Sequence, residues 1–271
     1  MTDRRLTPAN GRVAALHLAG QVDADSYVAG EAMAVTVPVA DLCAAPDGAR
    51  DRQMLMGQAV QCYETRDGWC FVQAADGYVG YLRAAHLGAE ATPTHLVGRL
   101  ATHSYGEADF KSPDLHHLPF GCRVTVTDER RKFFETTVGF IPKSHLRPLD
   151  KPFTDPVTVA QQFFGTPYLW GGNSSLGIDC SGLVSTGLRA CGINCPGDSD
   201  LQRDALGSAV QAPYQRGDLL FWKGHVAMVV DGQTIIHANA HHMATAYEPI
   251  ETAIRRIAAQ GDGPVIAHKR L

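Results

Sequence analysis

Asp179-Cys180-Ser181-Gly182-Leu183-Val184 marks the point where loop chemistry gives way to helix chemistry. The residues before it, Thr166 to Ile178 (TPYLWGGNSSLGI), carry three glycines, one proline and two serines. Those after it, GLVSTGLRACG, place Leu183, Val184, Leu188 and Cys191 roughly on one helical face before Gly192 stops the run. Cys180 therefore stands at a helix start. Unpaired backbone N–H groups and the positive end of the helix dipole both favour a thiolate there. A lone cysteine in this position reads equally as a small buried residue, so the decision rests downstream. Gly224-His225-Val226-Ala227-Met228-Val229-Val230, then Asp231-Gly232, then Gln233-Thr234-Ile235-Ile236-His237-Ala238 are two apolar arms around an Asp-Gly turn. That pattern predicts a β-hairpin with one histidine on each arm. A thiol, a base and an orienting group from separate parts of the chain are the parts of nucleophilic catalysis.

The side-chain period of a strand sharpens the expectation. A two-residue loop at Asp231-Gly232 would put His225 and His237 on opposite sheet faces. A three-residue connection, a type I turn followed by Gly232 in the left-handed region as a bulge, puts them on one face. Glycine stands where a positive φ is needed, so the second geometry is expected.

PYLWGG, IDCSGLV, GDLLFW-KGHVAMVV and the IIHAN arm together resemble the NlpC-type peptidoglycan cysteine peptidases, which are papain-like. The spacing agrees: 45 residues separate Cys180 from His225, and 12 more reach His237. The likeness covers roughly Asp155 to the C-terminus. It implies a catalytic set of Cys180 as nucleophile, His225 as general base and His237 as its orienting partner. It also implies Tyr168 at the oxyanion hole, beside the Cys180 backbone N–H. Trp170 and Ser181 join the expected substrate-binding side, with Trp170 walling the cleft. Asp179 either binds a substrate amine or caps the helix. Asp198 and Ser199, in PGDSD, occupy the places where relatives that cleave free stem peptides recognise the N-terminal amine, although Gly197 stands where an arginine is often found. A polar turn is the other reading of PGDSD.

Composition sets the outer bounds. The length of 271 residues suggests about two domains. A net charge of −4 without Lys/Arg clusters offers no footprint for nucleic acid or anionic membrane. No apolar run approaches the roughly 20 residues of a membrane span. The first residues, MTDRRLTPANGRVAALHLAGQVDADSY, hold only a short apolar stretch without a clear cleavage site. Seven cysteines, an odd number without paired CxxC motifs, fit a reduced compartment. A cytoplasmic protein acting on peptides already released from the wall is therefore expected. No cofactor and no metal are expected: GxxxxGK is absent, and His116-His117 and His241-His242 lack HExxH or CxxC context.

The N-terminal half reads differently. Residues 1–30 form an arm that packs on a neighbour. Strand-length runs closed by Asp-Gly pairs follow, one group over 31–90 and another over 94–149. Val79-Gly80-Tyr81-Leu82-Arg83-Ala84-Ala85-His86-Leu87 aligns without gaps on Val138-Gly139-Phe140-Ile141-Pro142-Lys143-Ser144-His145-Leu146, 59 residues later. Two copies mean a duplicated domain, and their endings resemble bacterial SH3 domains. His86 and His145 recur where capping or packing is expected. PLDKPFTDP is the linker to a 155–271 domain in which helices precede antiparallel strands. The expected fold class is thus α+β, a papain-like cysteine peptidase domain after two small all-β SH3-like barrels. The expected activity is hydrolysis of the γ-D-glutamyl–L-diamino-acid bond of murein stem peptides, with Tyr78 of DGYVGYL helping Asp198 and Ser199 enclose a free L-alanine amine. An inactive peptide-binding protein and a papain-like amidase or acyltransferase are the alternatives; oligomeric state is left open.

Overall fold

The computed structural model describes residues 3–211 and 213–271, and gives the segment Glu31–Ala89 the strands that its short apolar runs and Asp-Gly turns predict. In sheet order these are Arg50–Leu55, Val39–Cys43, Val79–Arg83, Trp69–Ala74, Ala59–Arg66, Glu31–Val35 and Leu87–Ala89, all antiparallel. The arm before them packs on this segment. Its Arg12 guanidinium forks onto Glu64 at 2.8 and 2.6 Å, and the Arg5 carbonyl accepts the Val79 N–H at 2.7 Å.

The next segment holds two further antiparallel sheets. One is ordered Arg123–Val124, His95–Val97, Leu146–Pro148; the other is Asp114–Pro119, Ala101–Tyr105, Gly139–Pro142, Phe133–Thr136, Val126–Glu129. The sequence repeat is a structural repeat. Val79–Arg83 runs into a 3₁₀ turn, Ala84–His86, and then Leu87–Ala89; Gly139–Pro142 runs into Lys143–His145 and then Leu146–Pro148. The second-copy histidine packs as expected, with His145 Nδ1 2.7 Å from Thr102 Oγ1. Leu55 and Met56 of the first copy share one apolar cluster with Val97, Leu118, Cys122, Val124, Ile141 and Leu146 of the second. At this seam Gly57 has φ +75°, and a Cβ there would lie 2.3 Å from the Arg123 carbonyl oxygen, so only glycine fits. Residues up to Leu149 form one compact unit and Asp150–Leu271 another.

One expectation fails in the first unit. Tyr78, chosen as the exposed aromatic of DGYVGYL, is only 2 % exposed. The Asp76-Gly77 turn feeds the chain straight into its strand, Asp76 accepts the Tyr78 N–H, and the Arg52 guanidinium lies 5.2 Å over the ring. Arg52 is itself buried and paired with Asp76. Tyr81 is half-buried and lines a cavity of about 280 Å³ with Arg12, Glu64, Trp69 and Phe71.

In the second unit α1 (Pro156–Gln161) is capped by Asp155, whose carboxylate accepts the Val157 N–H at 3.0 Å. It packs against α2 (Cys180–Ala190), and α3 (Ser199–Ala205) follows. The sheet comprises β1 (Ser208–Ala209), β2 (Leu219–Trp222), β3 (His225–Asp231), β4 (Thr234–Asn239), β5 (Ala244–Pro249) and β6 (Ala267–Arg270), in the order β1-β6-β2-β3-β4-β5. Every pairing is antiparallel, and α2 lies against β3 and β4. A fourth helix, α4 (Ile250–Ala259), packs Ile250, Ala253 and Ile257 against Leu220, Trp222, Ala227, Val229 and Ile235. Helices on an antiparallel sheet make this unit α+β.

Candidate active site

Asp179 builds the start of α2. Its Oδ1 accepts the Gly182 N–H at 2.7 Å and the Ser181 hydroxyl at 3.0 Å, and its Oδ2 accepts the Gly171 N–H at 2.9 Å. Both carboxylate oxygens thus cap the helix and tie down the Gly171-Gly172 loop, which is the capping reading of this residue. Ser181 is buried and held by the same carboxylate. Gly182 presses so near that loop that a Cβ would lie 2.4 Å from the Gly172 carbonyl oxygen.

Cys180 is the first residue of α2 and 8 % exposed. Its thiol feels the backbone N–H of Val226, the residue after His225 at the start of β3. Burial pushes the thiol up to about 12 and the Asp179 carboxylate adds to this, while the N–H groups of Val226, Ser181 and Cys180 itself pull the other way. The helix start alone suggests a thiolate; at rest, desolvation outweighs it and the group is a thiol.

The hairpin puts both histidines on one face, by a different route from the one expected. Val229 pairs with Ile235 and Asp231 with Thr234, so the extra residue is Val230 in the strand and not Gly232 in the turn. Gly232 has no positive φ; the turn is instead held by Asp231, whose carboxylate accepts the Gln233 N–H at 2.9 Å. With that bulge, His225, Ala227 and Val229 share a face with Ile235 and His237. His225 Nε2 lies 2.9 Å from His237 Nδ1, and the Trp222 ring packs 5.7 Å from the His225 ring. Burial pushes His225 down to about 3, helped by His237 and Arg256, so the resting base is neutral.

Beyond His237 the network continues to two residues that the sequence reading missed. His237 Nε2 is 3.1 Å from Glu248 Oε2, and Arg256 of α4 forks onto Glu248 with Nε–Oε1 at 2.9 Å and a terminal nitrogen–Oε2 at 2.7 Å. His237 and Glu248 are buried at 1 and 6 % exposure. Burial opposes ionisation of Glu248, but the Arg256 and His237 hydrogen bonds outweigh it and hold the carboxyl well below its usual range.

Tyr168 is half-buried, and burial followed by the Cys180 and Asp179 charges raises its phenol. Trp170 is 68 % exposed. Asp198 is the N-cap residue of α3, and its charge acts on Asp179. A third missed residue, Gln202, is fully buried, and its Nε2 lies 2.9 Å from the Ser181 carbonyl and 3.2 Å from those of Pro196 and Gly197. It ties the segment leading to Asp198-Ser199 to the catalytic helix. His237, His242 and Glu248 bring potential metal-ligand atoms within 4.8 Å of one another. Arg256 already holds Glu248, and Asn239 Oδ1 holds His242 through its backbone N–H and Nδ1, both at 2.9 Å, so protein groups engage these donors.

Comparison with known proteins agrees with this arrangement. Residues 165–256 match the NlpC/P60 family, and residues 42–87 match the bacterial dipeptidyl-peptidase SH3 domain. A γ-D-glutamyl-L-lysine dipeptidyl-peptidase of Bacillus cereus is 27 % identical over 238 residues, covering 74 % of this chain and 71 % of that protein. Dipeptidyl-peptidase 6 of Lysinibacillus sphaericus is 27 % identical over 235 residues, covering 76 and 86 % respectively. A crystal structure of an NlpC/P60 family protein from Bacillus cereus superposes with a TM-score of 0.74 at 21 % identity, over 89 % of this chain and 99 % of that one, and shares the fold. No helix among the described residues is long and apolar enough to cross a membrane. The chain carries an NlpC/P60 cysteine peptidase domain, preceded by a bacterial dipeptidyl-peptidase SH3 domain.

Proposed function

We propose that this protein hydrolyses the bond between the γ-carboxyl of D-glutamate and an L-diamino acid in murein stem peptides that carry a free N-terminal L-alanine, the form that arises in wall-peptide recycling. The observation that supports it best is the hydrogen-bonded His225–His237 pair, with His225, the first residue of its strand, followed by Val226, whose N–H acts on the helix-start Cys180. The name of the Bacillus cereus relative supplies the substrate class. Residues 94–149 are read as a second SH3 copy on the strength of the repeated strand–3₁₀–strand ending.

In this mechanism the Cys180 thiol gives its proton to His225 as the substrate carbonyl arrives, and the thiolate attacks the γ-carbonyl carbon. The oxyanion is received by the Cys180 backbone N–H and the Tyr168 hydroxyl. The C–N bond breaks as His225 passes the proton to the departing amine, leaving a thioester on Cys180. His225 then takes a proton from water, the hydroxide adds to the thioester, and the C–S bond breaks to release the γ-carboxylate and restore the thiol. Asp198 and Ser199 receive the L-alanine ammonium.

Incubation with L-Ala-γ-D-Glu-diaminopimelate should release L-Ala-D-Glu, detected by mass spectrometry, and Cys180→Ala should abolish that release. Acetylating the substrate amine or substituting Asp198→Ala should raise KM by about tenfold, equivalent to about 1.4 kcal/mol. Equal turnover of acetylated and free peptide would remove the amine from recognition.

A further inference from the structure

We infer that Glu248 and Arg256 are positioning residues of the active site: they fix which nitrogen of His237, and through it which nitrogen of His225, carries the proton. The inference rests on Cys180 and His225 as nucleophile and base. It starts from the Arg256 fork, two N–H donors on the two oxygens of a buried Glu248. A carboxylate so held only accepts. His237 Nε2, 3.1 Å from Glu248 Oε2, must therefore be the protonated nitrogen. Neutral His237 then has its lone pair on Nδ1, and His225 Nε2, 2.9 Å away, must donate to it. That leaves Nδ1 of a neutral His225 as the base nitrogen. Each step has one solution because each partner can play only one role.

Without the carboxylate the order can reverse. His237 is then free to carry its proton on Nδ1 and donate to His225 Nε2, leaving His225 with N–H at the nitrogen that must accept the thiol proton. A lost orienting carboxylate disables a base in this way while leaving the residues in place. The carboxylate has a second effect, since it stabilises the imidazolium that forms when Cys180 gives up its proton. The titratable and charged groups around the chain are His225, His237, His242, Glu248, Arg256 and Asp262, and Glu248 supplies the negative charge next to His237.

Glu248→Gln keeps the shape and an acceptor oxygen but removes the charge and adds a competing donor. With L-Ala-γ-D-Glu-diaminopimelate as substrate, kcat should fall by roughly 100-fold while KM stays within about twofold. The acidic limb of kcat/KM should move down by about one pH unit, because the imidazolium loses its counter-charge and forms only at lower pH. Arg256→Lys, which keeps the cation but not the fork, should lose about tenfold in kcat. Nitrogen-15 spectra of the histidine rings read the tautomers without turnover: His225 and His237 should each hold a single tautomer protonated on Nε2 in the wild type, and a mixture in Glu248→Gln. Wild-type kcat, acidic limb and ring spectra in Glu248→Gln, alongside inactive Cys180→Ala and His225→Ala, overturn this inference and leave the proposed function standing. Activity in Cys180→Ala overturns the proposed function instead, and the ring spectra still decide the role of Glu248. If Glu248→Gln does not fold, a wild-type His225 protonated on Nδ1 overturns the inference by itself.

Discussion

At the residue scale the site is built from groups kept neutral against their chemistry. Cys180 is held as a thiol by burial and Asp179, and His225 as an uncharged imidazole by burial. Neither state is visible in a sequence, where a cysteine at a helix start next to GDLLFW-KGHV suggests a ready ion pair. The candidate residues were legible because thiol and imidazole chemistry restrict the choice of residue. Their protonation was not, because desolvation depends on neighbours such as Trp222 that only the fold supplies. A pH dependence of stability follows. An unfolded histidine takes up its proton near pH 6.5, whereas folded His225 resists protonation until about 3. The stability owed to neutral His225 is present above about pH 6.5 and is lost as pH falls toward 3. By pH 4.5 the wild type should lose about 2 to 3 kcal/mol through this group alone. His225→Asn should remove that share of the loss, seen as a smaller gap between urea midpoints measured at pH 7 and 4.5. An equal gap in both proteins would show that His225 is not the group that resists protonation.

At the element scale, legibility depended on whether the inward positions were apolar. The strands at Leu219–Trp222, His225–Asp231 and Thr234–Asn239 announce themselves because their buried faces are hydrophobic. The strand Ala244–Pro249 does not, since its buried positions are Thr245 and Glu248 and read as loop chemistry. The helix Ile250–Ala259 that follows does carry a signal: Ile250, Ala253, Ile254 and Ile257 repeat at helical spacing. The segment 196–199 shows the complementary case. Its polar turn composition was legible, but its anchor, Gln202, is a buried amide inside a short helix, where a glutamine normally signals a solvent face. Gln202→Met keeps the volume and removes the donors that hold the Ser181, Pro196 and Gly197 carbonyls. Unfolding stability should drop by about 1 to 3 kcal/mol for the unpaired carbonyls. KM for the free tripeptide should rise more than kcat falls, because Asp198 and Ser199 lose their fixed distance from α2 while Cys180 keeps its cap. A pure stability loss with unchanged KM would confine Gln202 to packing.

At the scale of the whole molecule the sequence repeat suggested two separate barrels, and the packing joins them. An alignment of two segments contains nothing about whether they share a core. The core lies at the seam where Leu55 and Met56 meet Val97, Leu118, Cys122 and Val124, with Arg123 donating its N–H to the Met56 carbonyl at 2.8 Å. The Cys122 thiol points to the Pro38 carbonyl across the same seam. Residues that bury their apolar surface against one another lose it together when either side opens, so the two copies should form one cooperative unit. Leu118 is a suitable probe: it is fully buried and belongs to the second copy. Leu118→Ala should cost about 2 to 5 kcal/mol as a cavity in that core. Under cooperative opening the loss must reach the first copy as well. Amides in the strand Trp69–Ala74, distant in sequence from the substitution, should lose protection by the same free energy in native-state hydrogen exchange as those in Ala101–Tyr105. Exchange through Asp150–Leu271 provides the internal reference, since that segment is a compact unit with its own core. If Leu118→Ala speeds exchange over 94–149 and leaves Trp69–Ala74 at its wild-type rate, the copies open independently and the seam is a contact between two domains.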